Sequence, residues 1–284
     1  MINETTNAPP SPTPASLSAS SLHYEIFGSG RPLLLVHGLG SSWLTWAPVL
    51  AGLAAEREVI AIDLPGHGAT PPLDDELTMA TMTDAVEAFM VERGLQTVDL
   101  VGTSMGARIV LELARRGLGG DAVALDPGGF WTPVERRIFG TSVGLSIRLV
   151  KAIQPWLPRL AATTAGRTAL LSQFSAHPSK LDPALVLADL RSFALSPSIE
   201  SALAALAHGP NQLGAASTPG RLTIGWGVHD RVTVRSQATT ALAAFPEAGL
   251  HWFDDSGHFP HWDQPQETIS LILEKTGATA LDSL

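Results

Sequence analysis

Val98-Asp99-Leu100-Val101-Gly102-Thr103-Ser104-Met105-Gly106-Ala107 is the stretch that decides how this chain folds. It opens on an apolar run with strand character, and residues 105–116 follow with helical character, closed by Gly117 as a C-terminal cap. Between strand and helix stands the pattern G-x-S-x-G. A turn this tight needs small residues on both sides of Ser104, hence Gly102 and Gly106. The turn lifts the serine hydroxyl above the sheet edge and aims the N–H of Met105 at any oxyanion forming there.

Working outward, the same alternation recurs. Short apolar runs begin at Pro32, Glu58, Val98, Ala122, Leu222 and Leu250, and most are continuous rather than alternating, as expected of parallel strands covered on both faces. Residues 22–27 alternate, which predicts an antiparallel edge hairpin with the Pro32 strand. Helices are predicted over residues 43–55, 78–93, 105–116, 235–245 and 266–275. Strand and helix in alternation imply an α/β fold with right-handed crossovers.

The rhythm stops over residues 130–220, which hold many prolines, Ala/Leu helical stretches and no convincing strand. They are expected to form a helical cap inserted between the two parts of the core, residues 21–129 and 221–284. Residues 1–20, rich in Pro, Ser and Thr, read as a flexible leader.

Composition excludes several classes. The 284 residues contain no cysteine, which removes thiol catalysis, disulfides and cysteine-ligated metals. Twenty-seven acidic side chains oppose 18 basic ones, an unsuitable balance for holding nucleic acid. No segment has the length and apolarity of a membrane span, and the N-terminus lacks the features of a secretory signal, so a soluble cytoplasmic protein is expected.

A neutral serine hydroxyl needs a base, usually a histidine oriented by a carboxylate. Of nine histidines, His258 follows the turn after the last predicted strand, with Gly257 making the loop pliable. His261 leads instead into the final helix. For the carboxylate, Asp230 follows the Gly-rich turn after the penultimate strand, and Asp126 at the preceding strand end is the alternative. The loop Leu35-Val36-His37-Gly38-Leu39-Gly40 follows an early strand and places the N–H of Leu39 as a second oxyanion donor. His37 reads as a structural anchor of that loop.

Taken together, His37-Gly38-Leu39-Gly40, Asp63-Leu64-Pro65-Gly66-His67-Gly68, the Ser104 turn, Gly227-Val228-His229-Asp230 and Gly257-His258 resemble the α/β-hydrolase fold superfamily in order and spacing. The resemblance implies a mostly parallel eight-stranded sheet flanked by helices, with the cap inserted after strand 6. It implies Ser104 as nucleophile, His258 as general base and acid, Asp230 as its orienting carboxylate, and Leu39 and Met105 as backbone donors.

A serine at position 104, where dehalogenase and epoxide-hydrolase relatives carry Asp, points to acyl transfer on a small to medium carboxylic ester, with no cofactor and no metal required. Asp126-Pro127-Gly128-Gly129 also resembles the meta-cleavage-product hydrolases, which cut carbon–carbon bonds. Those relatives usually place Asn before the nucleophile and a basic residue in the cap. Here Thr103 takes the first position, and Arg148, Lys151, Arg159, Arg167 and Arg191 are candidates for the second. A cofactor-free haloperoxidase or perhydrolase and a ligand receptor on the same scaffold are the remaining readings. Trp43, Phe130, Trp131 and Phe259, in loops or cap, are the expected substrate contacts.

Overall fold

The computed structural model describes residues 22–277. The expected leader lies outside the described residues. In chain order the elements are β1 (Tyr24–Phe27), β2 (Pro32–Val36), α1 (Ala47–Ala54), β3 (Glu58–Ile62), α2 (Met79–Glu92), β4 (Asp99–Thr103), α3 (Met105–Arg115) and β5 (Ala122–Leu125). There follow α4 (Pro133–Ala152), α5 (Leu157–Ala162), α6 (Thr164–Leu171), α7 (Pro183–Leu195) and α8 (Ile199–His208). The chain then completes the sheet with β6 (Leu222–Gly227), α9 (Gln237–Ala244), β7 (Gly249–Phe253), α10 (Pro260–Asp263) and α11 (Pro265–Lys275).

The sheet order is β1-β3-β2-β4-β5-β6-β7, with every pair parallel except β1 against β3. Three expectations are corrected. Among the described residues the sheet has seven strands, not eight, because each apolar run supplies one strand and no further run exists. The helical insertion accordingly follows the fifth strand rather than the sixth. The first strand pairs with β3, not with β2 as a hairpin would. Both edges of β2 are taken by β3 and β4, so β1 is left the outer edge of β3. Gly28, at φ +72°, lets the connecting turn press against the carbonyls of Ala54 and Arg57, where an added Cβ would sit 2.2 Å and 2.5 Å away.

Alternate strand residues feed opposite faces of the sheet. Leu34, Val36, Ile60, Ile62 and Leu100 face α2 and α3, while Leu33, Leu35, Val59, Ala61 and Val101 face α1 and α11. Burying each such side chain contributes roughly 1.5–3 kcal/mol, which explains strands with almost no exposed residue. At the amino end of the sheet, buried Asp99 accepts hydrogen bonds from Arg57 at 2.6 Å and Arg31 at 2.9 Å.

The α4 helix begins on a capping box between Thr132 and Glu135. It packs on α7 and α8, and α5 packs on α6 and α7. Among the described residues no helix is long and apolar enough to cross a membrane.

Candidate active site

Strand β4 ends at Thr103, and helix α3 starts at Met105, leaving Ser104 alone to reverse the chain. Its backbone takes φ +55° and ψ −114°, outside the regions that L-residues favour, at a cost of order 1–3 kcal/mol. The turn is pinned on both sides. Ser104 N–H donates to Leu125 O at 2.9 Å, and its carbonyl accepts from Arg108 N–H at 3.1 Å. A Cβ on Gly102 would lie 2.4 Å from Gly106 O, and one on Gly106 would lie 2.2 Å from Val36 O. Only glycine fits either place.

The loops after β6 and β7 bring the partners over this turn. Gly227 allows them to touch, since a Cβ there would fall 1.9 Å from Gly257 O. His229 N–H donates to Ser256 O at 2.9 Å and Val228 N–H to Phe253 O at 3.0 Å, locking one loop to the other. His258 is then held from three directions. Its N–H donates to Phe174 O at 2.7 Å, Nδ1 lies 2.8 Å from Asp230 Oδ2, and Nε2 lies 2.9 Å from Ser104 Oγ. A carboxylate only accepts, so Nδ1 carries the proton and Nε2 is left to accept from the serine hydroxyl.

Asp230 is fully engaged. Its Oδ1 accepts from the N–H groups of Val232 and Thr233 at 2.7 Å and 3.1 Å, and its Oδ2 also accepts from Thr233 Oγ1 at 2.6 Å. Burial pushes this carboxyl upward, yet the facing imidazole and these donors bring it below the usual carboxylate range. Asp126 is also buried here, but its Oδ1 accepts from Gly227 N–H at 2.8 Å, and its carboxyl lies against that of Asp230 rather than against the imidazole. Burial first, and the Asp230 charge second, push Asp126 well above the ordinary carboxylate value. Ligand atoms of Asp126, Asp230 and His258 lie within 4.8 Å of one another. Both ring nitrogens of His258 and both oxygens of Asp230 are already committed to hydrogen bonds within the protein.

Leu39 lies beside Ser104 in the wall of the same cavity, and the loop before it comes so close that a Cβ on Gly38 would be 3.2 Å from Ser104 Cβ. Neither Leu39 N–H nor Met105 N–H, the latter at a helix start without an intrahelical acceptor, is paired among the described residues. His37 anchors this loop. Its Nδ1 donates to Gly38 O at 2.7 Å and its Nε2 accepts from Leu64 N–H at 2.9 Å, and burial lowers its pKa to about 4. His261 is buried against Trp46 and hydrogen-bonded to Thr45, with its pKa lowered by burial to about 3, and it does not reach Ser104.

The model of the Alpha/beta hydrolase family matches residues 33–271. The chain belongs to that family. A protein of Mycobacterium tuberculosis described as uncharacterized is 27% identical over 280 residues, covering 91% of this chain and 80% of its own. A pimeloyl-acyl-carrier protein methyl ester esterase of Aromatoleum aromaticum is 29% identical over 262 residues, covering 85% of this chain and 97% of its own. Two solved structures share the fold: an esterase from Thermogutta terrifontis (TM-score 0.68, 22% identity, 89% and 92% of the two chains). The second is a meta-cleavage product hydrolase from Pseudomonas fluorescens (TM-score 0.70, 18% identity, 91% and 95%).

In this α/β-hydrolase family member the cavity above Ser104 is narrow. Phe259 lines it. Trp43, Phe130 and Trp131 are not among its lining residues, which corrects that expectation. Trp43 packs against Phe27 at the sheet edge, and Trp131 stacks on Phe139, whose other surroundings include the cavity. The apolar walls come instead from α4, α6 and α7, through Phe139, Val143, Leu171 and Phe193 among others. Helical periodicity could mark these as buried, but not which side of the bundle meets the serine. The anchors Thr233 and Asp263 also escaped sequence reasoning. Asp263 accepts from Gly257 N–H and Ala176 N–H, both at 2.8 Å, and so ties the His258 loop to the chain after α6.

Proposed function

We propose that this protein is a serine hydrolase cleaving small to medium carboxylic esters through Ser104, His258 and Asp230. The observation that carries the reading is the unbroken chain of hydrogen bonds from Ser104 Oγ through the imidazole to a buried carboxylate, opening on an apolar cavity.

His258 Nε2 takes the hydroxyl proton as Ser104 Oγ attacks the ester carbonyl. The oxyanion forms between the N–H groups of Leu39 and Met105, each worth roughly 2.7–4 kcal/mol at such a site. The imidazolium returns the proton to the leaving alkoxide, giving an alcohol and an acyl-Ser104. Water, deprotonated by the same Nε2, then attacks the acyl carbon, and collapse releases the acid and restores the hydroxyl. Asp230 keeps Nδ1 protonated and faces the imidazolium charge throughout. The segment of residues 130–220 serves as the cap that shields these steps from water.

The Aromatoleum relative, whose name is that of a methyl ester esterase, supports the ester reading. The meta-cleavage alternative is weakened by the cavity wall. Of the cap cations considered for it, neither Arg148, Lys151, Arg159, Arg167 nor Arg191 lines the cavity, and the wall carries the acid Asp189 instead.

A fluorophosphonate probe tests the assignment: it should label the wild-type protein and fail to label Ser104→Ala. Labelling that survives the substitution would overturn it. Assay of simple esters beside a ring-fission diketone separates the two reactions, and turnover of the diketone alone would transfer the conclusion to carbon–carbon cleavage.

A further inference from the structure

Apart from Ser104 and His258, the cavity wall is apolar with two exceptions, Ser146 and Asp189. Ser146 is satisfied within the cap, by Ser142 O at 3.1 Å and Gln173 Oε1 at 3.2 Å. Asp189, on α7, is different. Its Oδ1 accepts from Ser41 Oγ at 2.6 Å, and among the described residues no other hydrogen bond or cation reaches it. Ser41 sits two residues beyond Leu39, so the carboxyl is tethered to the loop that borders Ser104. Burial raises its pKa to about 6, with the Ser41 hydrogen bond opposing that rise. The residue is half-buried and lines the apolar cavity, and no protein group among the described residues pairs its second oxygen.

A tether between α7 and this loop needs only a neutral acceptor, which Asn would provide without the desolvation penalty of an acid. A charged oxygen left without a partner in such a wall calls for a partner that arrives with the ligand. Resting on the ester-hydrolase reading above, we propose that Asp189 is the specificity-determining residue of the cavity, and that the substrate is an ester bearing a hydroxyl or ammonium donor that meets its free carboxylate oxygen. A substrate carrying its own carboxylate is repelled by the same group.

The test uses the full chain with Ser104→Ala, so that binding is read without turnover. The ligands are methyl butanoate, methyl 3-hydroxypropanoate and methyl 3-aminopropanoate, which differ only in a terminal methyl, hydroxyl or ammonium. Propyl acetate and 2-hydroxyethyl acetate place the same contrast on the alcohol side. At least one donor-bearing ester should bind tenfold or more tightly than its methyl counterpart at pH 8. Adding Asp189→Asn keeps an acceptor for Ser41 but turns the free position into an amide donor, and should bring the ratio to within twofold. Ser41→Ala removes the tether and leaves the carboxylate, so the preference should survive it. Equal affinities for every pair, or a preference undiminished by Asp189→Asn, would overturn the inference. Loss of fluorophosphonate labelling in the wild-type protein would instead strike the hydrolase reading, and leaves this binding comparison standing as its own measurement.

Discussion

Asp126 and Asp230 bring their carboxyl groups into one buried space beside His258, yet only Asp230 is hydrogen-bonded to the imidazole, at 2.8 Å. Asp126 accepts from the Gly227 N–H at its Oδ1, and burial and its charged neighbour push its pKa well above the ordinary value. The two carboxyl groups are thus pushed in opposite directions, and Asp230 is the one favoured as the anion facing the ring.

This asymmetry ranks two substitutions. Asp230→Asn should lower kcat by about 10⁴, because the imidazole loses both its tautomer and its counter-charge. Asp126→Asn mimics the neutral acid and should cost less than about tenfold. Steady-state assays of both variants on one ester check the order, and the reverse ranking would move the orienting acid one strand back.

The glycines around Ser104 have no room for a side chain. Gly106→Ala would place a methyl 2.2 Å from Val36 O, against backbone that cannot step aside. It should destabilise the protein by about 3 kcal/mol, or displace the serine enough to abolish labelling. Urea unfolding and fluorophosphonate labelling together read the outcome, and a stable, fully labelled variant would contradict the geometry.

The acid side of the stability profile should reflect His261. Its folded pKa, lowered to about 3 against an ordinary 6.5, means the unfolded chain binds a proton that the folded one refuses. Its contribution is complete above pH 6.5 and is lost as pH falls from there towards 3. At pH 5 the loss should be about 2 kcal/mol. Asp126 and Asp189, whose values are raised, act with the opposite sign, so the comparison must be differential. The stability advantage of wild type over His261→Gln, from urea unfolding at pH 7.5 and pH 5, should shrink by that amount.

At the far end of the sheet, Asp99 is wholly buried between Arg57 and Arg31. Asp99→Ala would strand the Arg57 guanidinium, itself only 5% exposed, without its carboxylate. The expected loss is about 3–5 kcal/mol, measured by chemical denaturation, with the catalytic hydrogen bonds untouched.

The cavity above Ser104 is narrow and closed in by the bulky side chains Phe139, Phe174, Leu190 and Phe193. Acetyl and butyryl esters should therefore be turned over faster than octanoyl or longer ones. A p-nitrophenyl ester series checks this, and a preference for long chains would require the cap helices to open.

The sequence by itself determined the sheet and the sharp turn on which Ser104 stands. Continuous apolar runs can bury only in a covered parallel sheet, and Gly102-Thr103-Ser104-Met105-Gly106 allows only one sharp turn, so both were legible locally. It also marked His258 and Asp230, through the Gly-bearing turns that follow two strands. What it could not reveal were relations between distant segments. Residues 22–27 alternate equally well beside β2 or β3, and only the occupied edges of β2 decided the pairing. Four aromatics looked alike as candidate contacts, and the packing of α4, α6 and α7 left only Phe259 in the wall. The bond from Ser41 to Asp189 spans 148 positions, and neither residue carries a local signal of the other. Periodicity reports which side of an element is buried. What it is buried against is fixed only when the elements meet.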